Sequence, residues 1–181
     1  MTREFLTISN LLSLSRIALA VLFAVVMFAA IPSATLWGFG ILLVAMVTDK
    51  LDGDLARRLG QETTWGRILD PLADKIGVGI VCLVLLVRDL VPVWFVALLL
   101  GRDLLILAGG VILRARKGVV LPSNMTGKWT VGVIAVALIL ALLEAPQGVQ
   151  LGVQVIAATM GGISLALYGK AFLSEEKGRG S

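Results

Sequence analysis

The chain has 181 residues, 58% of them hydrophobic and 15% charged, with a net charge of +4 and no histidine. Soluble domains are roughly 45–50% apolar and about 25% charged, so the composition excludes an ordinary soluble fold, and it excludes disorder, which needs low hydrophobicity. With Cys82 as the one cysteine, it also excludes a His base, a His-ligated metal, an intrachain disulfide and a Cys-built zinc site.

At about 20 residues per span, the apolar runs predict an all-α integral membrane protein with six transmembrane helices. They cover Leu11–Ile31, Leu36–Arg57, Ile68–Val87, Val91–Leu113, Thr130–Leu143 and Val149–Leu173. Ahead of the first, Thr2–Ser9 reads as a short interfacial helix. The first span is too long, and too plainly followed by others, for a cleaved signal peptide. Residues 1–173 read as one domain and 174–181 as a mobile cytoplasmic tail.

The loops set the orientation. Pro32–Thr35 carries no charge, Arg88 and Asp89 cancel, and Glu144 stands alone between the last two spans. Arg57, Arg58 and Arg67 cluster in one loop, and Arg114, Arg116, Lys117 and Lys128 in another. The positive-inside rule therefore places both termini and both basic loops in the cytoplasm. Trp37 and Trp94 then fall near the outer interface, and Trp65 and Trp129 near the inner one. The basic excess reads as topology and phosphate binding, with no nucleic-acid partner.

Thr48–Lys75 is the informative stretch. Asp49 and Asp52 are spaced i, i+3, and Asp70 and Asp74 are spaced i, i+4, so each pair shares a helix face. A short polar turn separates the pairs, which predicts antiparallel helices and four carboxylates converging near the cytoplasmic end. One Asp at mid-membrane costs roughly 2.5–3.5 kcal/mol on insertion scales, and intramembrane acids are functional by default. Protonation or a multivalent cation relieves the repulsion among four. Oxygen-only donors suit Mg²⁺ or Mn²⁺, and a pair of such ions suits phosphoryl chemistry. The plainer alternative is a solvated loop in which these acids pair with Arg57, Arg58, Arg67 and Lys75. Gly53 and Gly66 weigh against it, since a helical Gly costs about 1 kcal/mol relative to Ala and admits a ligand close to the backbone.

The pattern Asp49-x2-Asp52-Gly53-x2-Ala56-Arg57-x8-Gly66-x3-Asp70-x3-Asp74 resembles the signature of the CDP-alcohol phosphotransferases. The resemblance implies six helices, a homodimer and an active site open to the cytoplasm. It implies that Asp49, Asp52, Asp70 and Asp74 bind two Mg²⁺ or Mn²⁺ ions and that Asp74 is the general base. It also implies that Asn10, Asp52, Gly53, Ala56, Arg57 and Gly66 bind the cytidine nucleotide. Ser9–Arg16 resembles the family's N-terminal Pro-Asn-x-Leu-Thr-x-x-Arg stretch, with Ser9 for Pro and Ser13 for Thr. Alternatively, Asn10 is a helix cap and Arg16 a snorkelling cation.

The implied reaction transfers a phosphatidyl group from CDP-diacylglycerol to an alcohol, releasing CMP. Asp70–Lys75 resembles the version found in phosphatidylglycerophosphate synthases and in the cardiolipin synthases of this family. Arg102, Arg114, Arg116 and Lys128 suit a phosphate-bearing acceptor, which favours glycerol 3-phosphate. Gly101-Arg102-Asp103 looks more like the cardiolipin-synthase branch, with phosphatidylglycerol as acceptor. An inositol phosphate comes third, and a cation carrier or channel is the alternative outside enzymes. The expected location is a prokaryotic cytoplasmic membrane. Cys82 reads as a small core or lipid-facing residue. Gly109-Gly110 and Gly161-Gly162 read as close helix contacts.

Overall fold

The computed structural model describes the backbone of residues 8–29, 31–59, 66–117 and 125–177, and side chains within residues 14–29, 31–48, 72–113 and 125–174. Six α-helices follow in order: α1 (Ile8–Phe28), α2 (Ala34–Leu59), α3 (Gly66–Val87), α4 (Val93–Lys117), α5 (Met125–Leu142) and α6 (Gln147–Lys177). Each coincides with a predicted span. There is no strand among the described residues. The boundaries differ in detail: α5 starts five residues earlier than expected, and α6 runs on to Lys177. Most of the proposed interfacial helix, Trp65 and residues 178–181 lie outside the described residues.

The helices fall into two compact units, Met1–Arg88 and Asp89–Ser181. In the first, α1 packs against both α2 and α3. The packing stripe of α1 is Arg16, Ala20, Phe23 and Met27, a 4-3-4 spacing that keeps one face toward its neighbours. Ala20, Phe23 and Met27 are buried, as are Ala73, Val81, Cys82, Val84 and Leu85 of α3. Cys82 is therefore a core residue.

Two tethers give the helix directions. Arg16 pairs with Asp74 near the starts of α1 and α3. Arg88, just past α3, donates to the Met27 carbonyl at the end of α1. That bond satisfies one of the carbonyls a helix C-terminus leaves open. Arg88, whose charge Asp89 balances in the loop count, ties two helix ends in the fold. The two helices thus run parallel. The short turn through Ser33 reverses the chain, and the Ser33 carbonyl accepts from the Leu36 and Trp37 amides to start α2. So α2 is antiparallel to α1, and hence to α3.

Close approach of α1 and α2 depends on Gly38. A Cβ there would lie 2.9 Å from Met27 Sδ and 3.1 Å from Phe23 Cε2. The thioether can swing aside, but the buried Phe23 ring has to shift. We expect Gly38→Ala to destabilise the protein by about 1–2 kcal/mol through overpacking, measured as a lowered unfolding midpoint in detergent. An unchanged midpoint would show that the α1–α2 contact is looser than described.

In the second unit, α6 packs against both α4 and α5. The α5–α6 turn closes with a Schellman pattern: the Ala145 amide donates to the Leu140 carbonyl and the Glu144 amide to Ala141. Glu144 takes φ 51° at the position that favours glycine. One glycine of each pair lies near another helix. A Cβ on Gly161 would lie 3.8 Å from Leu98 Cδ2, and one on Gly109 would lie 3.9 Å from Phe172 Cδ2. Neither Gly110 nor Gly162 has a described neighbour within 4 Å. The Gly-Gly pairs thus supply one contact position apiece.

Val93–Leu113, Met125–Leu142 and Gln147–Ser174 are each long and apolar enough to cross a membrane, and Leu14–Phe28 and Ala34–Thr48 are shorter apolar helices. Their outward faces carry large exposed side chains such as Leu36, Trp37, Leu104 and Trp129. In water such faces would be an aggregation hazard; in lipid they are solvated.

Candidate functional site

The eight signature positions fall on two helices of the first unit. Asp49, Asp52, Gly53, Ala56 and Arg57 lie in the second half of α2, and Gly66, Asp70 and Asp74 in the first half of α3. Because α2 and α3 run in opposite directions, the two halves belong to the same end of the unit. The side chains of Asp49, Asp52, Arg57 and Asp70 lie outside the described residues, as does that of Asn10. Asn10 falls within the first turn of α1, which begins at Ile8. Just ahead of Asp49, Thr48 Oγ1 donates to the Val44 and Ala45 carbonyls at 2.9 and 3.0 Å. This back-bonding spares the helix a free hydroxyl where it passes from apolar to acidic sequence.

Asp74 is the one signature acid whose side chain is described. Its carboxylate pairs with the Arg16 guanidinium across the α1–α3 contact. The Asp74 side chain is 47% exposed and that of Arg16 only 15%. Arg16 is thus turned inward along the α1 stripe and does not snorkel. On α3, Gly77, about one turn beyond Asp74, faces the same stretch of α1. A Cβ there would reach 4.0 Å from both Ala20 Cβ and the Arg16 carbonyl oxygen.

The second unit also buries polar side chains. Arg102, Asp103, Thr130, Gln154 and Ser164 are all buried. Arg102 is the tenth residue of the apolar stretch Val93–Leu113. Its Nη1 donates to Asp103 Oδ1 at 2.7 Å and its Nη2 to Ser164 Oγ at 3.1 Å. Its buried Nε has no acceptor among the described residues. Thr130 Oγ1 donates to the Thr126 carbonyl at 2.8 Å. Of the other basic residues read as acceptor contacts, Lys128 is exposed near the start of α5. Arg114 and Arg116 lie in the last turn of α4, with side chains outside the described residues. Sequence reasoning missed Ser164. Its spacing from the buried Gln154, Ala157 and Gly161 on α6 was the available signal, since all four recur at helical period on one face.

The comparisons with known proteins bear on the same stretch. Residues 6–167 match the family model for CDP-alcohol phosphatidyltransferase. A Bacillus subtilis protein named CDP-diacylglycerol--glycerol-3-phosphate 3-phosphatidyltransferase is 36% identical over 131 residues, covering 66% of this chain and 67% of that protein. An Aquifex aeolicus protein of the same name is 34% identical, over 74% of each chain. A Streptomyces coelicolor cardiolipin synthase (CMP-forming) is 37% identical, over 70% of this chain and 60% of its own length. The match to the Mycobacterium tuberculosis putative cardiolipin synthase spans 58% of that relative. The family match reaches from α1 into α6 and takes in both acid pairs. The chain is therefore an integral membrane transferase that belongs to the CDP-alcohol phosphatidyltransferase family.

Proposed function

We propose that the protein transfers the phosphatidyl group of CDP-diacylglycerol to glycerol 3-phosphate, forming phosphatidylglycerophosphate and releasing CMP. The observation that carries this reading is the two-helix signature. Its acid pairs stand on antiparallel helices at one end of the first unit, and one of its acids, Asp74, is half-exposed and held in place. The names of the Bacillus and Aquifex relatives support the acceptor.

The donor set suits a hard cation. All four acids are carboxylates, the chain has no histidine, and Cys82 is buried in the core. Asp49, Asp52, Asp70 and Asp74 would hold Mg²⁺ or Mn²⁺, two ions in all. Bound there, the ions would supply positive charge to the pyrophosphate and to the departing CMP. The protein's own residues do the rest. Asn10, Asp52, Gly53, Ala56, Arg57 and Gly66 bind the CDP moiety, with Arg57 on a phosphate. Asp74 accepts the proton of the acceptor hydroxyl. That oxygen bonds to the lipid-side phosphorus as the bond from phosphorus to the CMP oxygen breaks, so CMP carries the charge away. Such chemistry is mostly positioning and electrostatics. Arg102, Arg114, Arg116 and Lys128 receive the acceptor phosphate.

In this reading the protein has six spans, one domain over residues 1–173, a homodimeric assembly as the family resemblance implies, and a home in a prokaryotic membrane; the basic loops support a cytoplasmic site and cytoplasmic termini. A second reading has phosphatidylglycerol as the acceptor. Gly101-Arg102-Asp103 favours it, as do the names of the mycobacterial and Streptomyces relatives. CMP release by the purified protein, with Mg²⁺ and CDP-diacylglycerol, separates the readings across glycerol 3-phosphate, phosphatidylglycerol, inositol 1-phosphate, inositol and serine. Fastest release is expected with glycerol 3-phosphate. Preference for phosphatidylglycerol or inositol 1-phosphate would replace that acceptor. No release with any of them would favour a cation carrier.

A further inference from the structure

Asp74 is asked to be both a base and a metal ligand, yet its carboxylate has a cationic partner on another helix. That partner is no surface accident. Arg16 is on the stripe that continues through the buried Ala20, Phe23 and Met27, and its side chain is 15% exposed. Gly77 of α3 faces the Arg16 backbone, and the bond from Arg88 to the Met27 carbonyl ties the far ends of the same two helices. The chain thus presents Arg16 to Asp74 from two packed helices tied to each other at a second point, the support a site needs for geometric precision.

We infer that Arg16 is a positioning residue for Asp74: its guanidinium holds one carboxylate oxygen, leaves the other to take the acceptor proton, and opposes cation binding at the same carboxylate. This rests on the proposed role of Asp74. Two effects of opposite sign follow. Losing the guanidinium lets Asp74 turn among its rotamers, and a misplacement of about 1 Å can cost 10²-fold in rate. Losing the positive charge removes a repulsion felt by a divalent ion at that carboxylate. For a monovalent and a divalent charge about 6 Å apart near water, this is worth on the order of tenfold in affinity. A residue that merely supports the fold would lower both turnover and cation binding.

The test uses the full chain in detergent micelles, with Mn²⁺ binding read by electron paramagnetic resonance and turnover by CMP release. Arg16→Gln is expected to lose about 10- to 100-fold in kcat, keep its KM for CDP-diacylglycerol within about twofold, and bind Mn²⁺ on the order of tenfold more tightly. Arg16→Lys keeps the charge without the planar fork. It should regain part of the turnover and bind Mn²⁺ as the wild type does. Reduced turnover with unchanged or weakened Mn²⁺ binding would overturn the inference, as would full turnover in Arg16→Gln. Failure of the underlying reading looks different: an active Asp74→Asn variant removes the base, and a wild-type chain that binds no Mn²⁺ removes the metal site. Either result takes the inference with it.

Discussion

Asp74→Asn is expected to lower CMP release by about 10²- to 10⁴-fold, the range for removal of a general base, while the unfolding midpoint shifts little. Asparagine has nearly the same shape, and its carbonyl oxygen still accepts a hydrogen bond from Arg16, so the α1–α3 contact survives. What is lost is the anion that can take a proton. With no histidine anywhere in the chain, no imidazole stands in. The side chain is 47% exposed, so the loss of charge leaves no deeply buried orphan behind. The measurement is CMP release at saturating glycerol 3-phosphate and Mg²⁺, beside thermal unfolding of the same preparation. Retention of more than a tenth of wild-type activity would remove Asp74 from the base role.

Asp103→Leu should be the most damaging of the described substitutions to the fold, by about 3–5 kcal/mol, because it strips the anion from a buried guanidinium. Arg102 and Asp103 are 7% and 8% exposed, mid-way along an apolar helix. The remaining bond to Ser164 is to a neutral hydroxyl. The double variant Arg102→Met with Asp103→Leu is expected to recover most of that stability, since replacing both partners of a buried pair by apolar residues is often neutral or better. It also separates two roles. If Arg102 receives the acceptor phosphate, the double variant folds but keeps a raised KM for glycerol 3-phosphate. A stable double variant with normal acceptor kinetics would leave the Arg102–Asp103 pair as a helix pin alone. A single Asp103→Leu variant with wild-type stability would show that the pair is not buried in the folded protein.

Local features were the legible ones. Apolar runs marked all six helices, because a lipid-facing helix needs a long stretch without charge and loops interrupt it. The acid pairs were readable because the helix period is a local rule: i, i+3 and i, i+4 residues share a face whatever surrounds them. Helix ends were less so. α6 continues to Lys177 because residues past the apolar run still form hydrogen bonds along the helix even though they no longer suit lipid.

Partner choice was not legible. Arg57, Arg58, Arg67 and Lys75 are near Asp74 in sequence, yet the described partner is Arg16, 58 positions away. Nothing near Arg88 in sequence announces that it caps α1 at Met27. Cys82 could have faced lipid or core on the same apolar helix. Each outcome depends on how helices rotate and pack against one another, a property of tertiary contacts that no single segment encodes.

By itself the sequence determined that this is a helical membrane protein of the CDP-alcohol phosphatidyltransferase family, since composition decides the solvent and the signature is a local pattern, and the absence of histidine left carboxylates as the proposed acid–base groups. The tertiary structure decided which cation holds Asp74 and which hydroxyl meets Arg102. Both belong to helices distant along the chain, brought together by packing stripes that only a folded unit aligns.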